Sequence, residues 1–171
     1  MLTGSHASSF QGEPRATHDI DFVVQLGPED AGRLTAAFEA DRFYLSMSAI
    51  HEAIHSRGMF NLLDTTTGEK VDFWMLKDTP FDQTRFVRRQ SMEREGQLID
   101  LSSPEDTILM KLLWGKESGG SEKQFQDVLR VYELQADLLD HAYLQSWVSS
   151  LGVEESWRRV LDEAEPFIPP N

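Results

Sequence analysis

The sequence predicts an α+β core followed by a C-terminal helical bundle, and three observations carry that prediction. Up to residue 101, short apolar runs with strand-like alternation are interleaved with helix-like segments. Beyond Ser102, almost every segment repeats its apolar residues at helical spacing. Between the two regions stands Ser102-Ser103-Pro104-Glu105-Asp106, a helix start with Ser at the cap, Pro in the first turn and acids facing the helix dipole. Residues 1–101 are therefore read as the α+β core and residues 102–171 as the helical region.

Each element has a local reason. Residues 19–26 (DIDFVVQL) form a strand that Gly27-Pro28 ends. Pro28, with Glu29 and Asp30 behind it, opens a helix over 28–40, with Leu34, Ala37 and Phe38 at helical spacing. A short helix covers 48–56 and stops at Gly58. Residues 59–63 (MFNLL) and 70–76 (KVDFWML) make a hairpin across a Thr- and Gly-rich turn at 64–69. Helix over 81–89 and a second hairpin, 90–95 with 97–101 through Gly96, complete the core. In the second region Ile108, Leu109, Leu112 and Leu113 give the first helix its apolar face, and further helices span 122–135, 140–151 and 154–165.

Composition restricts the function. The chain has 171 residues, enough for one well-buried domain or a core with a helical appendage. It has no apolar run of the roughly 18 residues that a membrane span needs, and its start lacks the pattern of a secretory signal. Cysteine is absent, which removes disulfides and thiolate metal sites and fits a cytoplasmic protein. The net charge of −13 disfavours broad DNA or RNA binding, because Lys and Arg carry generic affinity for phosphate backbones. Arg85-Phe86-Val87-Arg88-Arg89 is the best local basic patch. A nucleotide escorted by a divalent metal escapes that argument, since carboxylates hold the metal.

Asp19 and Asp21 stand two apart on a strand, so both project from one face. Two carboxylates so placed repel unless a cation sits between them, although an isolated D-x-D is also the ordinary polar end of a strand. Asp72 interrupts the apolar run KVDFWM, either as an exposed residue or as a third acid supported by a neighbouring strand that carries a metal. Upstream, Gly4-Ser5 lies at a strand-to-helix transition, where glycine allows close approach and free amides suit a phosphate.

Together, Gly4-Ser5-x-Ala7, Gly12, Arg15, Thr17 and Asp19-Ile20-Asp21-Phe22 resemble the G-S-x-A…G-x-x-R-x-T-x-D-I-D string of the DNA polymerase β-like nucleotidyltransferase superfamily. Lys70-Val71-Asp72-Phe73, the Ser103-Pro104-Glu105-Asp106 helix carrying Lys111, and Ser121-x-Lys123…Asp127-Val128 extend the likeness over residues 1–135. The nearest pattern is that of AbiEii-type toxin nucleotidyltransferases and related uncharacterised domains. One departure is that only Met1-Leu2-Thr3 precede the Gly-Ser turn, where the family has a helix and most of a strand. Either the start of the motif is misassigned, or the core lacks its first strand or borrows support from elsewhere.

The resemblance implies a small mixed sheet flanked by helices and a two-metal transfer of NMP from NTP. Asp19, Asp21 and Asp72 would be the catalytic and metal-binding acids for two Mg²⁺ ions, with Mn²⁺ as a substitute. Gly4 and Ser5 would hold phosphates, and Arg15 and Lys111 would supply phosphate charge; loop bracing is the competing role for Arg15 and Thr17, a solvated helix position for Lys111. The acceptor would be tRNA, a protein or a small molecule, and a cognate antitoxin is a possible partner. The alternative from another class is a catalytically degenerate binding module of the same fold.

Four other patterns in the sequence point elsewhere. D-I-D-F-V-V fits the start of haloacid-dehalogenase-like phosphatases, but the residues before it, 13–18, are polar where that fold needs an apolar strand. His51-Glu52-Ala53-Ile54-His55 spells the zinc-protease motif H-E-x-x-H on a short helix with no obvious third ligand. His18 reads as a turn residue or a ligand. Trp114, Trp147 and Trp157 fall on apolar helical faces, which leaves Trp74, beside Asp72, as the aromatic to consider near a nucleobase. If the H-E-x-x-H pair were a metal site, the purified protein would carry zinc by elemental analysis and His51→Ala would lose it.

Overall fold

The structure, a computed structural model, describes residues 1–13, 19–94 and 96–165. In chain order its elements are β1 (Leu2–Thr3), α1 (Gly4–Gln11), β2 (Asp19–Val24), α2 (Asp30–Ala36), β3 (Phe43–Leu45), α3 (Met47–Ser56), β4 (Met59–Asp64), β5 (Lys70–Met75), α4 (Pro80–Val87), β6 (Gln90–Arg94) and β7 (Gln97–Leu101). Then follow α5 (Pro104–Glu117), α6 (Glu122–Gln135), a 3-10 turn at Ala136–Leu138, α7 (His141–Leu151) and α8 (Glu154–Glu163). The described residues form two compact units, 1–3 with 19–101 and 4–13 with 102–165. Helix α1 thus groups with the later helices.

The first unit is built on a seven-stranded mixed sheet in the order β3-β4-β5-β2-β1-β7-β6. β2 runs parallel to β5 over six residue pairs, Asp19↔Lys70 to Val24↔Met75. β4 is antiparallel to β5, with Phe60 opposite Phe73 and Asn61 opposite Asp72. Strand alternation then divides the two faces. Phe22, Phe73 and Phe60 line one face as a stack, with ring centroids 5.9 Å and 5.0 Å apart. Ala31, Ile50 and Ala53 of α2 and α3 close a core over that face with Phe60 and Met75. The opposite face carries Asp19, Asp21, Lys70, Asp72 and Trp74.

A first strand is present, although the sequence left open that it is missing. β1 has two residues, inserted between β2 and β7, where Leu2 pairs with both Phe22 and Leu101. The helix expected over 28–40 contracts to Asp30–Ala36: its cap position, Glu29, makes no capping bond, and Gly32 weakens its middle. β3 was not anticipated. It is tied to β4 by Arg42, whose Nε and Nη2 donate to Asp64 Oδ2 at 3.1 and 2.8 Å. The other oxygen of Asp64 accepts the amides of Thr66 and Thr67, which sets the β4–β5 turn.

In the second unit, α5 starts as its sequence predicts. The Ser103 hydroxyl accepts the Asp106 amide at 3.2 Å and donates to Asp106 Oδ2 at 2.7 Å. Tyr143 of α7 donates to the other Asp106 oxygen at 2.6 Å, so a fully buried carboxylate joins two helices. α1 lies against α5 and α6: Gln11 donates to the Ser102 carbonyl, and its own carbonyl accepts from Gln135. At Gly12 a Cβ would come within 3.2 Å of the α6 backbone at Arg130 and Val131, so glycine is needed there for close packing.

Among the described residues no helix is long and apolar enough to cross a membrane. One pH dependence follows from Asp64. The hydrogen bonds from Arg42, first among the causes, hold its carboxyl below the ordinary range. Its stabilisation is therefore complete at neutral pH and lost as pH falls through the lowered folded value. Asp64→Asn should unfold at lower temperature than wild type at about pH 7, and thermal melts should show the gap closing between about pH 5 and pH 2.

Candidate functional site

The acids are assembled by strand register. Asp19 pairs with Lys70, Asp21 with Asp72, and Val23 with Trp74. Because parallel neighbours lie about 4.8 Å apart, the side chains of each pair share one face side by side. The Asp21–Asp72 row continues outward through Thr3 on β1 and Asn61 on β4. A polar row thus crosses four strands directly behind the phenylalanine stack.

Within this row the groups differ in environment. Asp72 is 7% exposed, Asp21 is half-buried and Asp19 is exposed. The Lys70 ammonium meets Asp72 Oδ2 at 2.9 Å. The pKa of Lys70 is raised, first by that hydrogen bond and then, against a lowering by desolvation, by the charges of Asp72, Asp19 and Asp21. Trp74 Nε1 donates to Asp21 Oδ1 at 3.3 Å, so this tryptophan is anchored to the acid pair. Oδ1 of Asp72 is buried and receives no hydrogen bond. A buried carboxylate oxygen left so is costly, and a cation is the partner that would satisfy it.

The donor set fits a hard divalent ion in kind: carboxylate oxygens only, one of them buried and unsatisfied. Among the described residues, however, no three His, Asp or Glu side chains form a ready-made metal cluster. The same statement covers His51 and His55, which are exposed on α3.

The remaining predicted positions fall in the helical unit or outside the described residues. Gly4, at φ 65°, opens α1 in the left-handed conformation that glycine adopts readily, and Ser5 follows in the first turn. Lys111 is 1% exposed, so it is not a solvated helix residue. Its ammonium meets Asp127 Oδ2 at 2.6 Å and Gln124 Oε1 at 2.9 Å, which joins α5 to α6. Arg15, Thr17 and His18 lie outside the described residues.

One charged feature differs from expectation, and another was not anticipated. The basic run 85–89 is not an open phosphate-binding strip: Arg85 is buried and paired with Asp82 at 2.7 Å, and Arg89 is paired with Asp100 at 2.9 Å. The helical unit holds a pocket of about 150 Å³ beside Lys116, Phe125 and Arg159. Its cations are engaged, Lys116 by the carbonyls of Leu151 and Gly152, Arg159 by Glu122 and the Phe125 ring.

Sequence reasoning missed Lys70 as a member of the site, and Asn61 beside it. Lys70 was within reach of the period-2 rule, since it stands two residues before Asp72 and must share its face; Asn61 joins only through the β4–β5 register.

No protein-family model matches the chain, and no curated protein matches it. Solved structures do. An antigenic nucleotidyltransferase-like protein from Paracoccidioides brasiliensis aligns over 97% of this chain and 85% of its own, at 17% identity and a TM-score of 0.50. The fold is that of a nucleotidyltransferase. The antibiotic-resistance factor ANT(2'')-Ia aligns over 92% of this chain and 85% of its own, at 15% identity and a TM-score of 0.51. At such identities the likeness concerns the fold, and the chemistry has to be argued from the residues.

The Lys111–Asp127 pair yields a prediction. Lys111→Met strands a buried carboxylate and should destabilise the protein by about 3–5 kcal/mol in urea unfolding. Replacing both partners, with Asp127→Leu added, should recover most of that loss.

Proposed function

We propose that this chain is a divalent-metal-dependent nucleotidyltransferase that moves NMP from an NTP to an acceptor. The observation that carries the reading is the Asp21–Asp72 pair, held in register on parallel strands with Asp19 on the same face and one buried, unsatisfied Asp72 oxygen. In this reading Asp19 and Asp21 hold Mg²⁺ or Mn²⁺ and Asp72 completes the set. Bound there, two such ions would screen phosphate charge and polarise the attacking and leaving oxygens.

The chain's own residues then have distinct tasks. Asp72 would lie beside the attacking acceptor group and take its proton. As the new bond forms to the α-phosphorus, the bond to pyrophosphate breaks and pyrophosphate leaves with the electron pair. Gly4 and the amides at the start of α1, with Ser5, hold the β- and γ-phosphates. Lys111 and Arg15 are the remaining candidates for phosphate charge, Lys111 only by sharing its ammonium with Asp127. Trp74, fixed on Asp21, offers a ring to the base.

The acceptor class is tRNA, protein or a small molecule. The AbiEii-type likeness, and with it a toxin role and a cognate antitoxin, is supported by the motif string alone; the likeness to an antibiotic-resistance factor keeps a small molecule in view. A second reading, a binding module of the same fold without catalysis, is favoured by the Lys70–Asp72 ion pair, which engages a carboxylate the chemistry requires.

Incubation with labelled NTPs, Mg²⁺ and cell RNA or protein separates the two. The enzyme should transfer label, and Asp72→Asn should lower transfer by more than about 100-fold, beyond what loss of a supporting group costs. Nucleotide-dependent thermal stabilisation without label transfer would identify the binding module. Neither label transfer nor stabilisation would remove both readings.

A further inference from the structure

Lys70 has a place in the site that the sequence motif does not explain. Among the described residues the acid face holds three carboxylates, Asp19, Asp21 and Asp72, and one ammonium, Lys70. Its formal charge is therefore −3 + 1 = −2. One divalent ion neutralises that face. A second would leave it at +2, a charge that only an incoming triphosphate can balance.

The geometry of the ion pair is unequal. The Asp72 side chain is 10% exposed and is fixed by its strand, whereas the Lys70 side chain is 39% exposed on a flexible four-carbon stem. Lysine is thus the member that can leave, and parting a half-exposed pair costs little. While it stays, it occupies Oδ2 of the acid whose other oxygen is buried and unsatisfied. Among the described residues the three acids do not form a ready-made metal cluster, and one of the Asp72 oxygens is held by an ammonium.

We propose that Lys70 is a built-in counter-ion of the acid face, which a divalent metal must displace from Asp72 before the site is complete. The inference rests on the metal-dependent reading above. Without nucleotide, Lys70 keeps the three acids from repelling one another and holds metal affinity low. With a nucleoside triphosphate present, the displaced ammonium meets phosphate oxygens instead of bare metal charge. Full metal loading is thereby coupled to substrate.

The test is Mn²⁺ binding to the intact protein, followed by calorimetry and by the loss of the free-ion electron-spin signal, with and without a non-hydrolysable NTP analogue. Lys70→Met and Lys70→Gln should each tighten nucleotide-free Mn²⁺ binding by about tenfold or more, since a like charge leaves the metal's immediate surroundings. Lys70→Arg, which keeps the charge, should bind as wild type does. The analogue should improve Mn²⁺ binding in wild type more than in Lys70→Met. Wild-type binding that Lys70→Met and Lys70→Gln leave unchanged or weakened would overturn the counter-ion role and leave the metal reading standing. Lys70→Arg binding as tightly as Lys70→Met would overturn it too. No Mn²⁺ bound by any of these proteins, with or without the analogue, would end both.

Discussion

The parallel pairing of β2 with β5 is the constraint on which the acid face depends. Six consecutive residue pairs fix it, and one slip of register would carry every side chain of a strand to the opposite face. The Phe22–Phe73–Phe60 stack makes that slip expensive, because it would expose aromatic surface and drive Asp72 towards the core under α2 and α3. Hydrophobic packing on one face is thus what positions charge on the other. The acids need no dedicated scaffold of their own, and the cost of holding them together is borne by a core that would form without them.

The same alternation explains what the sequence made legible. The strands 19–24 and 70–75 and the β4–β5 hairpin could be read directly, since apolar and polar residues alternate and Gly or Pro marks the ends. Helix α6 lies at its expected limits because Ser121 caps it and Phe125, Val128 and Leu129 repeat on one face. β1 and β3 were not readable as strands. With two and three residues they are too short to show a period, and their partners determine them: Leu101 and Phe22 for β1, and Asp64, which binds Arg42, for β3.

The site was legible as a set of residue types and less so as a set of roles. Asp19, Asp21 and Asp72 stand out because an acid in an apolar strand needs a reason. Lys70 does not stand out, because a lysine at a strand end is ordinary until the register puts it opposite Asp19. Lys111 misleads for the converse reason. Its helix has no clearly polar face, and the partner that holds it, Asp127, lies sixteen residues away on another helix. Gly12 belongs to the motif string, yet in the helical unit its place is explained by the backbone of α6. A motif string can therefore include residues whose place is explained by packing, and only contacts reveal which.

The proposed nucleotide chemistry poses an electrostatic problem for an acidic chain, and the pairing of its cations bears on it. Arg85, Arg89 and Arg159 each face a carboxylate within their own unit, as do Lys70 and Lys111. These arginines are thus not held ready as a phosphate-binding strip, and a net charge of −13 would repel a bare triphosphate on approach. Positive charge for the phosphates has to arrive with the ligand or be released within the site. In the proposed mechanism a divalent ion would do the first and a displaced Lys70 the second. Both require an acid face that is incompletely neutralised beforehand, and three carboxylates against one ammonium provide that imbalance.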